Sequence, residues 1–220
     1  MVASESMSLT ELGAATVYVV DDDAAMRDAL SLSLRNAGYR VQAFASPDAL
    51  LRQGPQESPA VILLDVRLQQ QSGVDAHARM QALGLRTPVI FMSGQSRADE
   101  IVRGFRQGAL HFLLKPFATA DLLNAVREGL LQDQARQRRE IRFARLQQRL
   151  SQLTPREREV CRLMVRGLPN REIAALHGTA PGTVKLQRAS VLEKLEVEAM
   201  SELAALFEGE DVEAVFVALG

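Results

Sequence analysis

Four stretches of the chain each run from apolar residues into a polar side chain. Thr16 to Val20 leads into Asp21-Asp22-Asp23, Ala60 to Leu64 into Asp65, Pro88 to Met92 into Ser93, and Leu110 to Leu114 into Lys115. A lone Asp in such a place is usually a turn residue or a helix cap, and Lys-Pro is usually just a loop. Four such endings in one chain point to convergence instead. Carboxylates gathered together repel one another and attract a cation. An all-oxygen donor set selects a hard metal, and Mg²⁺ keeps several waters while taking one or two carboxylates and phosphate oxygens. Beside such an ion Asp65 is a nucleophile that forms an aspartyl phosphate. The ion and the Lys115 ammonium would neutralise the phosphoryl oxygens, and the Ser93 hydroxyl would donate to one of them.

Convergence requires a particular scaffold. Continuous apolar runs of four to six residues fit strands buried on both faces of a parallel sheet. Such a sheet collects its functional groups just past the carboxyl ends of the strands. A further strand is expected over Arg40 to Phe44, giving five. Helical spacing appears between the strands: Met26, Leu30, Leu34 and Ala37 stopped by Gly38, a helix opened by Ser46-Pro47-Asp48, one over Gly73 to Leu83, and one over Ala98 to Arg106 stopped at Gly108. Another starts near Thr119. Alternating strands and helices predict an α/β fold, a doubly wound five-stranded parallel sheet.

Composition sets outer bounds. The chain has 220 residues, room for two domains. No run of about 18 apolar residues is present, so no membrane span is expected. Met1 to Ala15 lacks a basic start followed by an apolar core and reads as a loosely ordered leader, not a secretory signal. The one cysteine, Cys161, excludes an internal disulfide and fits a reducing cytoplasm. The net charge of −1 conceals segregation: residues 127–150 carry 7 arginines against 3 acids, residues 151–195 carry 8 basic against 4 acidic side chains, and residues 196–220 carry 7 acids and no base. A basic middle between acidic flanks predicts a local anionic partner.

The second half is helical. Residues 131–150 read as an extended helical linker, solvated and rich in arginine, without a regular heptad. Thr154-Pro155-Arg156-Glu157 opens a helix with a Thr cap and Pro at the first position. A second helix starts at Asn170 and ends near Gly178, and a third runs from Thr183 to Leu195 after a turn containing Gly182. Two short helices about a glycine turn form a helix-turn-helix, whose second helix enters the major groove. A fourth helix covers about Met200 to Phe207, so residues 151–207 form an all-α four-helix domain. In residues 208–220, Val212, Val215, Phe216 and Leu219 follow helical spacing, an acidic amphipathic helix that docks on its own domain or serves as a dimer contact.

Two resemblances sharpen these expectations. Residues 16–130, through Asp21-Asp22-Asp23, Leu64-Asp65, Met92-Ser93-Gly94 and Phe112-Leu113-Leu114-Lys115-Pro116-Phe117, resemble the receiver domain of two-component response regulators. Residues 151–207, through Leu153-Thr154-Pro155-Arg156-Glu157, Gly167-Leu168-Pro169-Asn170-Arg171-Glu172-Ile173 and Thr183-Val184-Lys185, resemble the LuxR-type helix-turn-helix of the NarL/FixJ branch. The first implies Asp65 as phosphoacceptor, with Lys115 and Ser93 acting on the phosphoryl group. It also implies Mg²⁺ on Asp21, Asp22, Asp65 and the Arg67 backbone carbonyl, and a switch made of Ser93 and Phe112. A sensor histidine kinase would supply the phosphoryl group, and the fourth helix, with Val102 and Arg106, would form a homodimer face. The second resemblance implies DNA contacts from Thr183, Lys185, Gln187 and Arg188, mostly to phosphates, with Val184 near base edges.

Departures from both patterns are visible. After Arg67 the loop reads Leu68-Gln69-Gln70-Gln71-Ser72-Gly73, without the usual Pro and Gly, which predicts a more mobile loop. His177 and Thr179 stand at usually apolar positions, Ala180 at a common Ser cap, Gln187 at a frequent His, and Glu196 at a frequent Gly. The expected function is a phosphorylation-controlled transcriptional regulator. The rival is a receiver-controlled regulator that acts through protein contacts, its specific DNA binding weakened or lost. Steady turnover of phosphate esters is not expected, because Arg67 stands where a general acid would be needed.

Overall fold

The computed structural model describes residues 15–54, 59–69, 71–94 and 98–218. Most of the leader, Gln70 and Leu219 lie outside the described residues. The chain divides into two compact units, up to Gln137 and from Arg138 onward.

The first unit alternates β1 (Thr16–Val20), α1 (Ala24–Asn36), β2 (Arg40–Phe44), α2 (Pro47–Gln53), β3 (Ala60–Asp65), α3 (Gly73–Ala82), β4 (Val89–Ser93), α4 (Ala98–Arg106), β5 (His111–Leu114) and the first part of α5 (Thr119–Ser151). All strand pairs are parallel, in the order β2-β1-β3-β4-β5. β3 is central, and its six residues are all buried. Alternation sends Val61 and Leu63 into one core with Leu34, Leu122, Val126 and Leu130, and Ile62 and Leu64 into the other with Leu50, Val74 and Met80. A strand covered on both faces has no polar side, which explains the unbroken apolar run. Local caps fix where the helices begin. The Asp23 carboxylate accepts from the Ala25 and Met26 amides, Ser46 from Ala49, and Ser72 from Val74.

The amino end of β3 is tied to α5. The Ala60 amide donates to Asp133 Oδ2 at 2.9 Å, and the buried Asp133 also accepts from Arg136 and Gln137. Without Asp133 that first strand amide would be a buried, unsatisfied donor.

The second unit contains the rest of α5, then α6 (Pro155–Val165), α7 (Asn170–His177), α8 (Pro181–Lys194), α9 (Met200–Leu206) and α10 (Val212–Val217). The stretch expected as a solvated linker is shared between the two units. Leu130 is buried in the first unit's core, whereas Leu146 and Leu150 are buried with Val160, Cys161, Met164, Ile173, Val184, Val191 and Leu203. An apolar stripe on α5 therefore meets a partner on each side of Gln137. Burial pushes the Cys161 thiol up to about 12, leaving it an inert core residue. The terminal α10 docks on its own unit. Val215 is buried, its carbonyl accepts from Gln147 at 2.8 Å, and Glu213 pairs with Arg162 and Arg166.

Candidate functional site

Parallel strands place Asp21, Asp65, Ser93 and Lys115 on one edge of the sheet. Lys115 Nζ donates to Asp65 Oδ1 at 2.7 Å and to Asp21 Oδ2 at 2.8 Å. Asp21 and Asp65 are 2% and 5% exposed, so these bonds form in low dielectric and fix both carboxylates. Burial raises the Asp65 pKa above the ordinary range, against the opposing pull of Lys115. Burial lowers that of Lys115, but its bonds to Asp21 and Asp65 outweigh this and hold it charged. The remaining Asp65 oxygen accepts from the Arg67 amide at 2.7 Å. The carboxyl group is held from both sides.

Ser93 is fully buried, yet its Oγ has no hydrogen-bond partner among the described residues. Its carbonyl accepts from the Lys115 amide at 2.7 Å, so the strand end is fixed while the hydroxyl stays open. An unsatisfied buried hydroxyl at the end of the strand beside that of Asp65 is a donor open to an oxyanion.

The donor set also fits a cation. Lys115 pairs with the Asp21 and Asp65 carboxylates and Arg27 donates to the Asp21 carbonyl at 2.7 Å, and the side-chain donors of Asp21, Asp22 and Asp65 are all oxygen. The described residues do not form a closed cage of three or more carboxylate or imidazole ligands. Mg²⁺ takes one or two carboxylates and keeps its waters, so the oxygen donors of Asp21 and Asp65 are of the kind it accepts. Asp22 is half-buried and borders a cavity of about 70 Å³ with Ser46, Leu68, Gln69 and Gln71, room for about two waters. The loop after Asp65 is closed on itself. Arg67 bridges to Ser72, and the Gly73 amide donates to the Val66 carbonyl at 2.8 Å. Its Gln69 and Gln71 share that cavity with Asp22, and Gln70 lies outside the described residues.

Phe112 is half-buried, 5.6 Å from the Phe91 ring and 6.4 Å from Phe105. On α4, Val102 and Phe105 are each about half exposed, Arg106 is exposed, and Leu114 at the end of β5 is also exposed.

Comparison with known proteins assigns the two units. The response regulator receiver domain family matches residues 17–127, and the luxR family of bacterial regulatory proteins matches residues 151–207. The chain belongs to the response regulators of the NarL/FixJ type. It is 34% identical to nodulation protein W of Bradyrhizobium diazoefficiens, covering 88% of this chain and 86% of that protein. It is 33% identical to the transcriptional regulatory protein FixJ of the same organism, over 86% and 93% of the two chains. Among solved structures, response regulator StyR superposes with a TM-score of 0.75 at 34% identity, covering 88% of this chain and 98% of that one. Full-length FixJ from B. japonicum gives 0.54 at 33% identity, over 88% and 95%. The receiver domain implies a sensor kinase partner and the luxR domain implies DNA. No helix among the described residues is long and apolar enough to cross a membrane.

In this response regulator the helix-turn-helix is α7, a turn through left-handed Gly178, and α8. Thr183 and Lys185 are exposed on α8. Val184, expected near base edges, is fully buried in the helical core and has no surface to offer DNA. Arg188 turns back on its own unit, donating to the Leu168 carbonyl at 3.2 Å, and Gln187 is half-buried. Leu186, not singled out from the sequence, is 73% exposed on the same helix. His177 is almost fully buried at its side chain, 3.3 Å from Glu159 but without the alignment of a hydrogen bond.

A buried network sets the angle of α8. The Glu157 carboxylate forms a capping box with Thr154 and also accepts from Ser190 Oγ at 2.7 Å and Lys194 Nζ at 2.7 and 2.8 Å. Burial pushes the carboxyl up, but the bonds from Lys194, Ser190 and Thr154 prevail and bring it down to about 2. A depressed carboxyl stabilises the fold fully above its unfolded value near 4.5, and that contribution fades as pH falls toward 2. The urea midpoint of the helical unit, followed by its amide signals, should fall across that window. Glu157→Gln should lower the midpoint at pH 7 and flatten this acid decline.

Two departures from the family pattern carry a stability cost. Ala180 is the N-cap of α8 and its side chain makes no cap bond. Glu196 holds φ at 53°, a left-handed backbone that favours glycine. Ala180→Ser and Glu196→Gly should each raise the stability of the helical unit by about 1 kcal/mol in chemical denaturation. The Arg149–Glu196 pair lost in the second is 3.9 Å long and exposed, so its loss matters little.

Proposed function

We propose that this response regulator is a transcription factor switched by phosphorylation of Asp65. The observation that carries the reading is the pairing of Asp65 with Lys115 beside the open Ser93 hydroxyl, in a chain that also holds a luxR-family domain. A sensor histidine kinase donates the phosphoryl group. The carboxylate oxygen of Asp65 attacks phosphorus, and the bond from phosphorus to the kinase imidazole nitrogen breaks. Lys115 moves from carboxylate to phosphoryl oxygens, and Ser93 donates to another. Asp21, Asp22, Asp65 and the Arg67 carbonyl would hold Mg²⁺, which supplies further neutralisation of those oxygens.

The phosphoryl group draws Ser93 toward it, and Phe112 follows by repacking against Phe91 and Phe105. That alters the face carrying Val102 and Arg106, where a second copy docks through a two-fold contact. Two helix-turn-helix units then reach two half-sites. On α8, Thr183 and Lys185 contact phosphates, and Leu186 presents its apolar end to base edges such as a thymine methyl. Light scattering on the full chain, with and without an acyl phosphate and Mg²⁺, tests the dimer step. Doubling of mass on treatment supports it, and one mass in both states contradicts it.

A second reading, regulation by protein contact without specific DNA recognition, is favoured by the burial of Val184 and the inward turn of Arg188. Gel shifts on the chain's own promoter fragment against scrambled DNA separate the two. Equal shifts on both fragments, phosphorylated or not, would establish the second.

A further inference from the structure

At the amino edge of the receiver sheet, away from Asp65, a cavity of about 210 Å³ opens. His77 and Gln81 of α3, Arg86 of the following loop, and Gln132 and Arg136 of α5 form its polar walls, and no Asp or Glu lines it. His77 is 4% exposed, and its Nδ1 is buried without a hydrogen-bond partner among the described residues. Burial lowers the pKa of the ring and keeps it neutral, able to donate or accept. Arg136 is held by Asp133 at 2.7 Å. Arg86 is exposed and makes no ion pair among the described residues. The space equals about seven waters. It is small and polar; the Arg136 Nε and Nη2 both donate to Asp133 Oδ1, so the guanidinium fork offered to a planar or tetrahedral oxyanion is that of Arg86.

The cavity also touches the switch. The His77 ring stands edge-on to Phe91 at 5.6 Å, and Phe91 lies 5.6 Å from Phe112. Gly104 packs so closely on Phe91 that an added Cβ would sit 3.0 Å from its ring, leaving Phe91 little room to absorb a displacement. We propose that this cavity is an effector site for a small oxyanion, a carboxylate or a phosphate, and that its occupancy is passed through His77 and Phe91 to Phe112. The site stands on its own lining. The relay rests on reading Phe112 as the switch aromatic, so the two parts fail separately.

The test is a nuclear magnetic resonance titration of the full chain at constant ionic strength, with succinate in one series and inorganic phosphate in the other. Saturable shifts at the His77 and Arg86 amides are expected with at least one anion and should be lost in Arg86→Gln, a surface substitution outside the phosphoryl site. The anion that saturates identifies the class. No saturation with either, or saturation unchanged in Arg86→Gln, overturns the site. A filled site that leaves the Phe112 amide unmoved overturns the relay.

Discussion

Asp65→Asn should abolish phosphoryl uptake from an acyl phosphate with Mg²⁺, bringing the intact mass of the treated chain back to that of the untreated one. An amide has no anionic oxygen to attack phosphorus, and none of its neighbours replaces it. Asp21 is locked to Lys115 and to the Asp23 amide, and Ser93 has no base among its described contacts. The fold should survive the change. The amide oxygen of Asn still accepts from Lys115 or from the Arg67 amide, and Lys115 retains Asp21. One of two buried carboxylates that repel each other is removed, so stability should stay within about 1 kcal/mol of wild type. Phosphoryl uptake at an unchanged level would move the acceptor elsewhere in the chain.

Gly73→Ala should damage both stability and phosphorylation. A Cβ at Gly73 would overlap the backbone carbonyl oxygen of Asp65 and lie 3.0 Å from its carbonyl carbon and from Val66 Cα. These are backbone atoms of the central strand's end and cannot swing aside as a side chain could. Either α3 retreats or the end of β3 moves, and both degrade packing that is buried on every side. A loss of about 3 kcal/mol in urea unfolding is expected, together with slower uptake, because the Asp65 carboxylate shifts from Lys115. The requirement also bears on the glutamine loop. Its length and composition are free only as far as Gly73 can still close against Val66.

The Asp21–Lys115–Asp65 cluster is legible in the sequence for a geometric reason. Parallel strands put all their carboxyl ends on one edge, so finding the apolar runs also finds where Asp21, Asp65, Ser93 and Lys115 meet. β4 lies one residue later than the apolar pattern predicts and β5 starts one residue later but ends at Leu114 as expected, which leaves this edge unchanged. The recognition face of α8 is a different problem. Thr183, Val184, Lys185 and Leu186 point in four directions, and two of them are aliphatic. Which one enters the core depends on α6 and α7, distant in sequence. Val184 does so because it shares a face with Val191, while Leu186 is left outside. Asp133 is hidden for a similar reason, since its partner Ala60 is 73 residues away. Stretch 131–150 looks solvated because its arginines outnumber its leucines. The folded chain shows Leu146 and Leu150 buried in the helical core, and Arg139 and Arg142 paired with Glu210 of the acidic tail, a contact the segregation of charge already offered.

Phosphorylation of Asp65 should control affinity for DNA. That control is tested most directly by fluorescence anisotropy of the full chain on its own promoter fragment at fixed salt, before and after treatment with an acyl phosphate and Mg²⁺, in wild type and in Asp65→Asn. Salt must be fixed because phosphate contacts make affinity depend steeply on it. Wild type should bind at least about tenfold more tightly after treatment, equivalent to about 1.4 kcal/mol, and Asp65→Asn should bind equally before and after. Equal tightening in both proteins, or none in wild type that has taken up phosphoryl, would contradict the account.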